Sequence, residues 1–135
     1  MSTATTSIFR ESRAYASFAT RDLATTRAFY TGVLGLEVTE GDRVLFIQLA
    51  DCTRVVVRVE TDHVPSSHPV LNFPVPDIDV AADRLLEAGI RFEIRPDVEQ
   101  DEWGIVRPAG PDGGPPIAWI RDPGGNLLAV LEPTR

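Results

Sequence analysis

Histidine, cysteine and clustered carboxylates are the side chains best suited to ligating metals or moving protons, and this chain holds few of them in useful company. The two histidines, His63 and His68, lie five residues apart with Asp62 beside the first, a set that would hold a metal at the surface if the segment wrapped around one. The surrounding "TDHVPSSHP" (61–69) is polar and proline-bearing, so solvated linker histidines are the favoured reading. Cys52 is the only cysteine, which excludes an internal disulfide and a Cys-rich zinc site. A Cys–His nucleophile pair exists on paper, but Cys52 falls in an expected turn with no activating base nearby. In "DEWGIVRP", Trp103 follows the carboxylates Asp97, Glu99, Asp101 and Glu102. Those acids would draw in a cation and the indole would stack on it; the plain reading is a solvated loop with a tryptophan capping the core. Tyr15 is a candidate general acid without an evident partner. "RDPGGN" has the look of a phosphate loop but lacks its lysine and its following helix.

The balance of the chain narrows the classes further. Its 135 residues suit one compact domain, and 43% hydrophobic with 24% charged residues suits a folded one. A formal net charge of −7 makes nucleic acid an unsuitable partner, because no basic patch exists to displace counterions from phosphates. All thirteen basic residues are arginine, a bias from which no mechanism follows. Residues 1–12 are rich in Ser and Thr, are expected to be loose, and lack the apolar centre of a signal peptide. No apolar stretch approaches the ~20 residues that cross a bilayer. The expectation is a cytoplasmic protein with no membrane association.

The elements that must position these residues follow from hydrophobic periodicity. "RAYASFAT" (13–20) alternates as a strand, and "RDLATTRAFYTGVLG" (21–35) reads as a helix capped by Asp22 and stopped by Gly35. "LEVTEGDRVLFIQLA" (36–50) reads as two strands around Glu40-Gly41-Asp42, and "TRVVVRVE" (53–60) as a β-branched strand. The order then repeats. "VLNFPVP" (70–76) is a strand, and "DIDVAADRLLEAG" (77–89) a helix with Ile78, Ala81, Ala82, Leu85 and Leu86 on one face. "IRFEIR" (90–95) is a strand; after a long loop (96–115), "PIAWIR" (116–121) and "LLAVLE" (127–132) form a hairpin through Pro-Gly-Gly-Asn. The Pro/Gly-rich "PAGPDGGPP" (108–116) is a lid over a pocket or an irregular connection. Matching order and spacing imply an internal duplication: module 1 over 13–60, a linker over 61–69 and module 2 over 70–133, one domain of α+β class.

"RDLATTRAFYTGVLGLEV" (21–38) and "RDPGGNLLAVLEP" (121–133) resemble the vicinal oxygen chelate superfamily, which includes glyoxalase I, extradiol dioxygenases, fosfomycin-modifying enzymes and bleomycin-binding resistance proteins. The resemblance covers about residues 13 to 133. It implies two βαβββ modules forming a cupped, mixed sheet around the binding site. It also implies metal-ligand positions: seven residues before each capping Asp, at Tyr15 and Val70, and three after the turn Asn, at Ala129. Aligning Glu60 with Glu132 adds Val57 in module 1. Valine and alanine offer no lone pair, and a phenol with a pKa near 10 is a poor ligand. The expectation is therefore no metal and no cofactor.

The leading expectation is a metal-free protein that sequesters an aromatic or cationic small molecule in a cavity lined by Tyr15, Val57, Asn72, Trp103 and Ala129. In some bleomycin-resistance relatives a similar Trp-Gly pair lines the groove, which favours Trp103. Trp119 sits on a strand, facing either the core or the cavity. The alternative is a lyase, isomerase or dioxygenase of the same superfamily, using unrecognised metal ligands or acid/base chemistry at Tyr15. A third class, an interaction module, would fill its cavity with side chains. Free sheet edges and apolar faces suggest a homodimer.

Overall fold

The computed structural model describes residues 8–108 and 113–133. The N-terminal half runs β1 (Ala16–Thr20), α1 (Leu23–Ala28), a π-helical turn (Phe29–Val33), β2 (Glu37–Gly41), β3 (Val44–Gln48) and β4 (Arg54–Val59), with a 3-10 turn at Ala50–Cys52. The C-terminal half runs β5 (Leu71–Pro74), α2 (Ile78–Glu87), β6 (Ile117–Arg121) and β7 (Leu127–Leu131). Strand order is β1-β4-β3-β2 in one sheet and β5-β7-β6 in the other. The first strand of each half lies parallel to the last, and the other pairs are antiparallel. The fold is thus α+β, with the same strand order in both halves. Residues 8–11, expected to be loose, form one helical turn, and residues 1–7 lie outside the described residues.

Both helices start where the sequence places them. The Asp22 carboxylate accepts from the backbone N–H of Ala24 and Thr25, and that of Asp77 from Asp79 and Val80. Each cap is worth about 1 kcal/mol against alanine. In α2 the Glu132 carboxylate accepts a further backbone N–H, from Ile78 at 2.9 Å. Ile78, Ala82 and Leu85 form the buried face of α2, as their spacing predicts. In the first half the helix widens after Ala28, and Leu34 N–H bonds to the carbonyl of Phe29, five residues back. The wider turn lets adjacent residues, Phe29 and Tyr30, both reach the core. Gly35 then takes φ +68°, which frees the chain to turn into β2.

One strand expected from sequence does not form. Residues 90–95 run beside β6, and Glu93 N–H bonds to the carbonyl of Trp119 at 2.7 Å. No ladder follows, because Gln100 takes the backbone groups a ladder would use. Its Oε1 accepts from Arg95 N–H at 2.7 Å, and its Nε2 donates to the carbonyls of Glu93 at 2.9 Å and Gly104 at 2.7 Å. Val106 makes an isolated bridge to Ile117, so two loop segments share the outer edge of β6. Of the Pro/Gly-rich tract, residues 109–112 lie outside the described residues.

A single core joins the halves. Val38, Leu45, Ile47, Val55 and Val57 pack with Phe29 and Tyr30, and that cluster is continuous with Ile78, Leu85, Ile120, Leu128 and Val130. Burying such side chains stabilises by roughly 1.5–3 kcal/mol each as an upper bound. The polar tie between the halves is the Asp-Pro-Gly-Gly-Asn turn. The Asp122 carboxylate accepts from Gly124 and Asn126 N–H, from Asn126 Nδ2, and from the Tyr30 hydroxyl at 2.7 Å. Asn126 Nδ2 also donates to the carbonyl of Ala19 at 2.8 Å, and Asn126 Oδ1 lies 3.0 Å from His63 Nε2. The turn approaches β1 closely: a Cβ at Gly124 would come within 2.9 Å of Thr20 Oγ1. Among the described residues, no helix is long and apolar enough to cross a membrane.

Candidate functional site

Each sheet turns one face to its helix; the face away from the helix is called open, although Val56 and Ala129 at its centre are covered by their neighbours, at 3% and 0% exposed. Strand register decides which side chains share the open face, since alternate residues point to opposite sides. In the first sheet Ser17, Val56 and Phe46 lie abreast across β1, β4 and β3. In the second, Asn72, Ala129 and Trp119 lie abreast across β5, β7 and β6. The rows correspond strand for strand, each with a polar residue, a small or β-branched residue and an aromatic. Three residues singled out from sequence are thus brought together: Asn72, Ala129 and Trp119. Trp119 is half-buried on the open face, which settles its orientation.

The other candidates disperse. Val57 is 0% exposed and faces the helix side. Register places Val56, not Val57, at the position matching Ala129, because Ser17 pairs with Val56 as Asn72 pairs with Ala129. Matching through Glu60 and Glu132 misses by one residue, and one residue reverses the face. Tyr15 lies just before β1 and is 55% exposed; among the described residues nothing bonds to its hydroxyl. Val70 lines a cavity of about 320 Å³ at the seam between the halves, with Ser17, Arg58, Glu60, His63 and Asn126 among its other walls. His68 does not line that cavity.

Trp103 is 51% exposed and lines a different cavity, of about 230 Å³, against Ala82, Leu85 and Leu86 of α2. That cavity is on the helix side of the second sheet, away from Asn72, Ala129 and Trp119. Of the acidic residues beside Trp103, Asp101 is engaged within the loop. Asp101 accepts from Trp103 N–H, Ile105 N–H and Arg107 Nε, and Arg107 also reaches Asp79. Partial burial raises the Asp101 pKa, but the hydrogen bonds from Arg107, Ile105 and Trp103 outweigh it and hold the carboxyl below its ordinary value.

Charge on the two open faces differs. On the second sheet the Arg95 guanidinium lies over the Trp119 ring, 5.0 Å from its centroid, and pairs with Glu93 and Asp97. Arg121 pairs with Glu93 at 2.8 Å. On the first sheet Arg54 lies over the Phe46 ring, 4.8 Å from its centroid. Arg54 and Arg58 share the face of Val56 and make no ion pair among the described residues. These two arginines and Phe46 were missed in the sequence. The alternation Arg54-Val-Val56-Val-Arg58 in "TRVVVRVE" was the available signal. Tyr30 plays no part in the open-face chemistry: burial first, then the Asp122 charge and hydrogen bond, push its pKa far above the ordinary phenol value.

At the ligand positions that the resemblance implies, Tyr15, Val70, Ala129 and, by register, Val56, the side chains are one phenol and three hydrocarbons. Such a set does not fit a transition metal. Among the described residues, no three His, Cys, Asp or Glu side chains converge elsewhere either.

Comparison with known proteins agrees with this architecture. The profile of the Glyoxalase/Bleomycin resistance protein/Dioxygenase superfamily matches residues 13–130. Among curated proteins no sequence match is found. The fold is similar to that of the genomically encoded fosfomycin resistance protein FosX from Listeria monocytogenes, with TM-score 0.68, 12% identity, and 92% of this chain and 94% of that chain covered. It is similar also to the bleomycin resistance determinant encoded on the transposon Tn5, with TM-score 0.64, 20% identity, and 92% and 99% covered. An antibiotic-binding protein from a Streptomyces species matches with TM-score 0.62, 20% identity, and 92% and 98% covered. With a family profile spanning nearly the whole described fold, the chain belongs to the Glyoxalase/Bleomycin resistance protein/Dioxygenase superfamily.

Proposed function

We propose that the protein binds a small organic molecule, without a metal, on the open faces of its two sheets. The observation that carries this reading is the pair of matching rows, Ser17-Val56-Phe46 and Asn72-Ala129-Trp119. They put an aromatic wall, a small or aliphatic floor and a hydrogen-bonding side chain on each face, with hydrocarbon where metal-dependent relatives place ligands. Two similar structures belong to an antibiotic-binding protein and a bleomycin resistance determinant, which supports small-molecule binding. An aromatic ligand suits Phe46 and Trp119. A cationic one has less support from these rows, since Asp101 is engaged by Arg107 and Trp103 stands apart from them.

The test combines elemental analysis with tryptophan fluorescence. The purified protein should carry no stoichiometric Zn, Ni, Fe or Mn after mild dialysis. In a Trp103→Phe variant, the remaining Trp119 emission should change on titration with planar aromatic compounds. One tightly held metal per chain would overturn the metal-free reading, and an unresponsive Trp119 would remove the ligand from the open face. We propose further that the protein is a homodimer, with a solution mass by light scattering of about twice 14.8 kDa; a mass of one chain at micromolar concentration overturns this.

A further inference from the structure

The helix side of the second sheet holds a cleft of about 220 Å³, between the two halves, that the open-face reading does not use. Ile120 and Val130 form its floor, on the side of β6 and β7 opposite Trp119 and Ala129. Phe73 and Val75 close one side, and Val33, Leu34 and Leu36 of the first half close another. The widened turn holds that second wall in place: Leu34 N–H bonds to the carbonyl of Phe29 at 3.2 Å, and Leu36 N–H to that of Tyr30 at 2.9 Å. Along α2, Ala81, Arg84 and Leu85 stand at i, i+3 and i+4 and so border the cleft from one side of the helix. Ala81 is small, which leaves the room.

The chemistry of the cleft is one-sided. Every wall residue except Arg84 is hydrocarbon. The cavity at Trp103 instead carries both Arg91 and Glu102, and the seam cavity carries Arg58, Glu60 and His63. Arg84 is exposed, so its guanidinium stands at the mouth, and it makes no ion pair among the described residues. It stays protonated whatever the setting. Asp83 and Glu87 also lie on α2, but neither lines the cleft, and both are exposed, where water and salt screen them. Apolar walls with one convergent charge are the pattern of a small-molecule pocket. A dry apolar cavity of about 150 Å³ takes a benzene-sized molecule, so this cleft has room for a short chain.

We propose that this cleft is a second binding site, for a small aliphatic carboxylic acid, with the chain on Ile120 and Val130 and the carboxylate at Arg84. Burial of the chain supplies the affinity, and the lone guanidinium selects the anion through charge-assisted hydrogen bonds. The site stands apart from the open faces, and neither reading depends on the other.

The experiment is isothermal titration calorimetry of the whole protein with octanoate, octanamide and octylammonium, which share a chain and differ in charge. Octanoate should bind about tenfold more tightly than octanamide, and octylammonium most weakly. Shortening the acid to hexanoate should weaken binding by about tenfold or more, since two methylenes leave the cleft. Arg84→Gln should erase the difference between acid and amide and keep the wild-type melting temperature, because the side chain is exposed. Ala81→Leu fills the cleft and should weaken acid and amide alike by about tenfold or more. In the Trp103→Phe variant octanoate should leave Trp119 emission unchanged, because Trp119 faces the other side of its sheet. Equal affinity for acid and amide in the wild type, full affinity in Ala81→Leu, a response of Trp119, or no binding of octanoate would each overturn the proposal. A fall in solution mass by light scattering on adding octanoate would also overturn it, by giving the cleft to a second copy of the chain. The open-face reading has its own test, the titration of Trp119 with planar aromatic compounds, so the two fail separately.

Discussion

The two halves share strand order, capping aspartates and the position of an aromatic on the open face, yet they handle charge and edges differently. The first half completes a four-stranded sheet; the second completes three strands and hands its outer edge to loop segments held by Gln100. In the second half the arginine over Trp119 is paired with carboxylates, whereas in the first the arginine over Phe46 is not. The comparison teaches that the two halves share what builds the scaffold and differ in what faces outward. Backbone pairing and apolar burial constrain every strand in the same way, but the open face has no such requirement, and each half is free to present its own charge.

The largest expected effect comes from breaking the tie between the halves. Asp122→Ala removes the acceptor for four hydrogen bonds and strands the hydroxyl of Tyr30, which is 0% exposed. It should cost about 3–5 kcal/mol in denaturant unfolding, given the price of unsatisfied buried polar groups. Tyr30→Phe, which deletes a single bond to the carboxylate, should cost about 1–3 kcal/mol. If Asp122→Ala behaves like a surface substitution, the Asp122 carboxylate is not what joins the halves.

Next in size is the contrast between the two tryptophans. Trp119→Ala should weaken binding of an aromatic ligand by about tenfold or more, since it removes both the stacking surface and its buried area. Trp103→Ala should leave affinity within about twofold, because it touches a cavity on the helix side. The reverse result, measured by the same calorimetry, would move the site to the α2 side of the second sheet.

A smaller and more local change is expected from Gln100→Ala. Its three hydrogen bonds hold residues 93–104 against one another. The loss should be about 1–2 kcal/mol, and amide hydrogen exchange should quicken over residues 93–104 and leave the first sheet unchanged. Faster exchange across both sheets would show that the second half depends on this loop for more than its edge.

The smallest effect is in the acid limb of stability. The Asp101 carboxyl has a lowered pKa in the folded protein, so its ionised form stabilises the fold. That contribution is present in full above the unfolded pKa, near about 4, and is lost as pH falls through the folded value. Asp101→Asn should thus lower stability by about 1 kcal/mol at neutral pH, and the gap to wild type should close in acid. A gap that stayed constant from neutral pH into acid would assign Asp101 a role independent of its charge.

Much of the fold was legible because its signals are short-range. Asp22 and Asp77 cap their helices through N–H groups two and three residues on, and Ile78, Ala82 and Leu85 face inward because a helix repeats every 3.6 residues. The same holds for the strand alternation and the turn at Pro-Gly-Gly-Asn. Residues 90–95 also carry strand-like alternation, but Gln100, five residues past Arg95, competes for their backbone groups. Local pattern cannot rank that side-chain competitor against a ladder.

For the site, the sequence by itself determined the residue chemistry: no metal-ligating donor at Val70 or Ala129, and no lysine among the basic residues. Tertiary structure alone decided which residues meet. Choosing Val56 over Val57 turns on strand register, where a shift of one residue reverses the face. Trp103 went to the helix side because of the path of its loop, which no periodicity encodes. Asp122 is joined to Tyr30 across 92 residues, and Arg54 to the ring of Phe46 on the neighbouring strand. Such contacts depend on where separate elements dock, and docking is set by the burial of the whole core rather than by any one segment of chain.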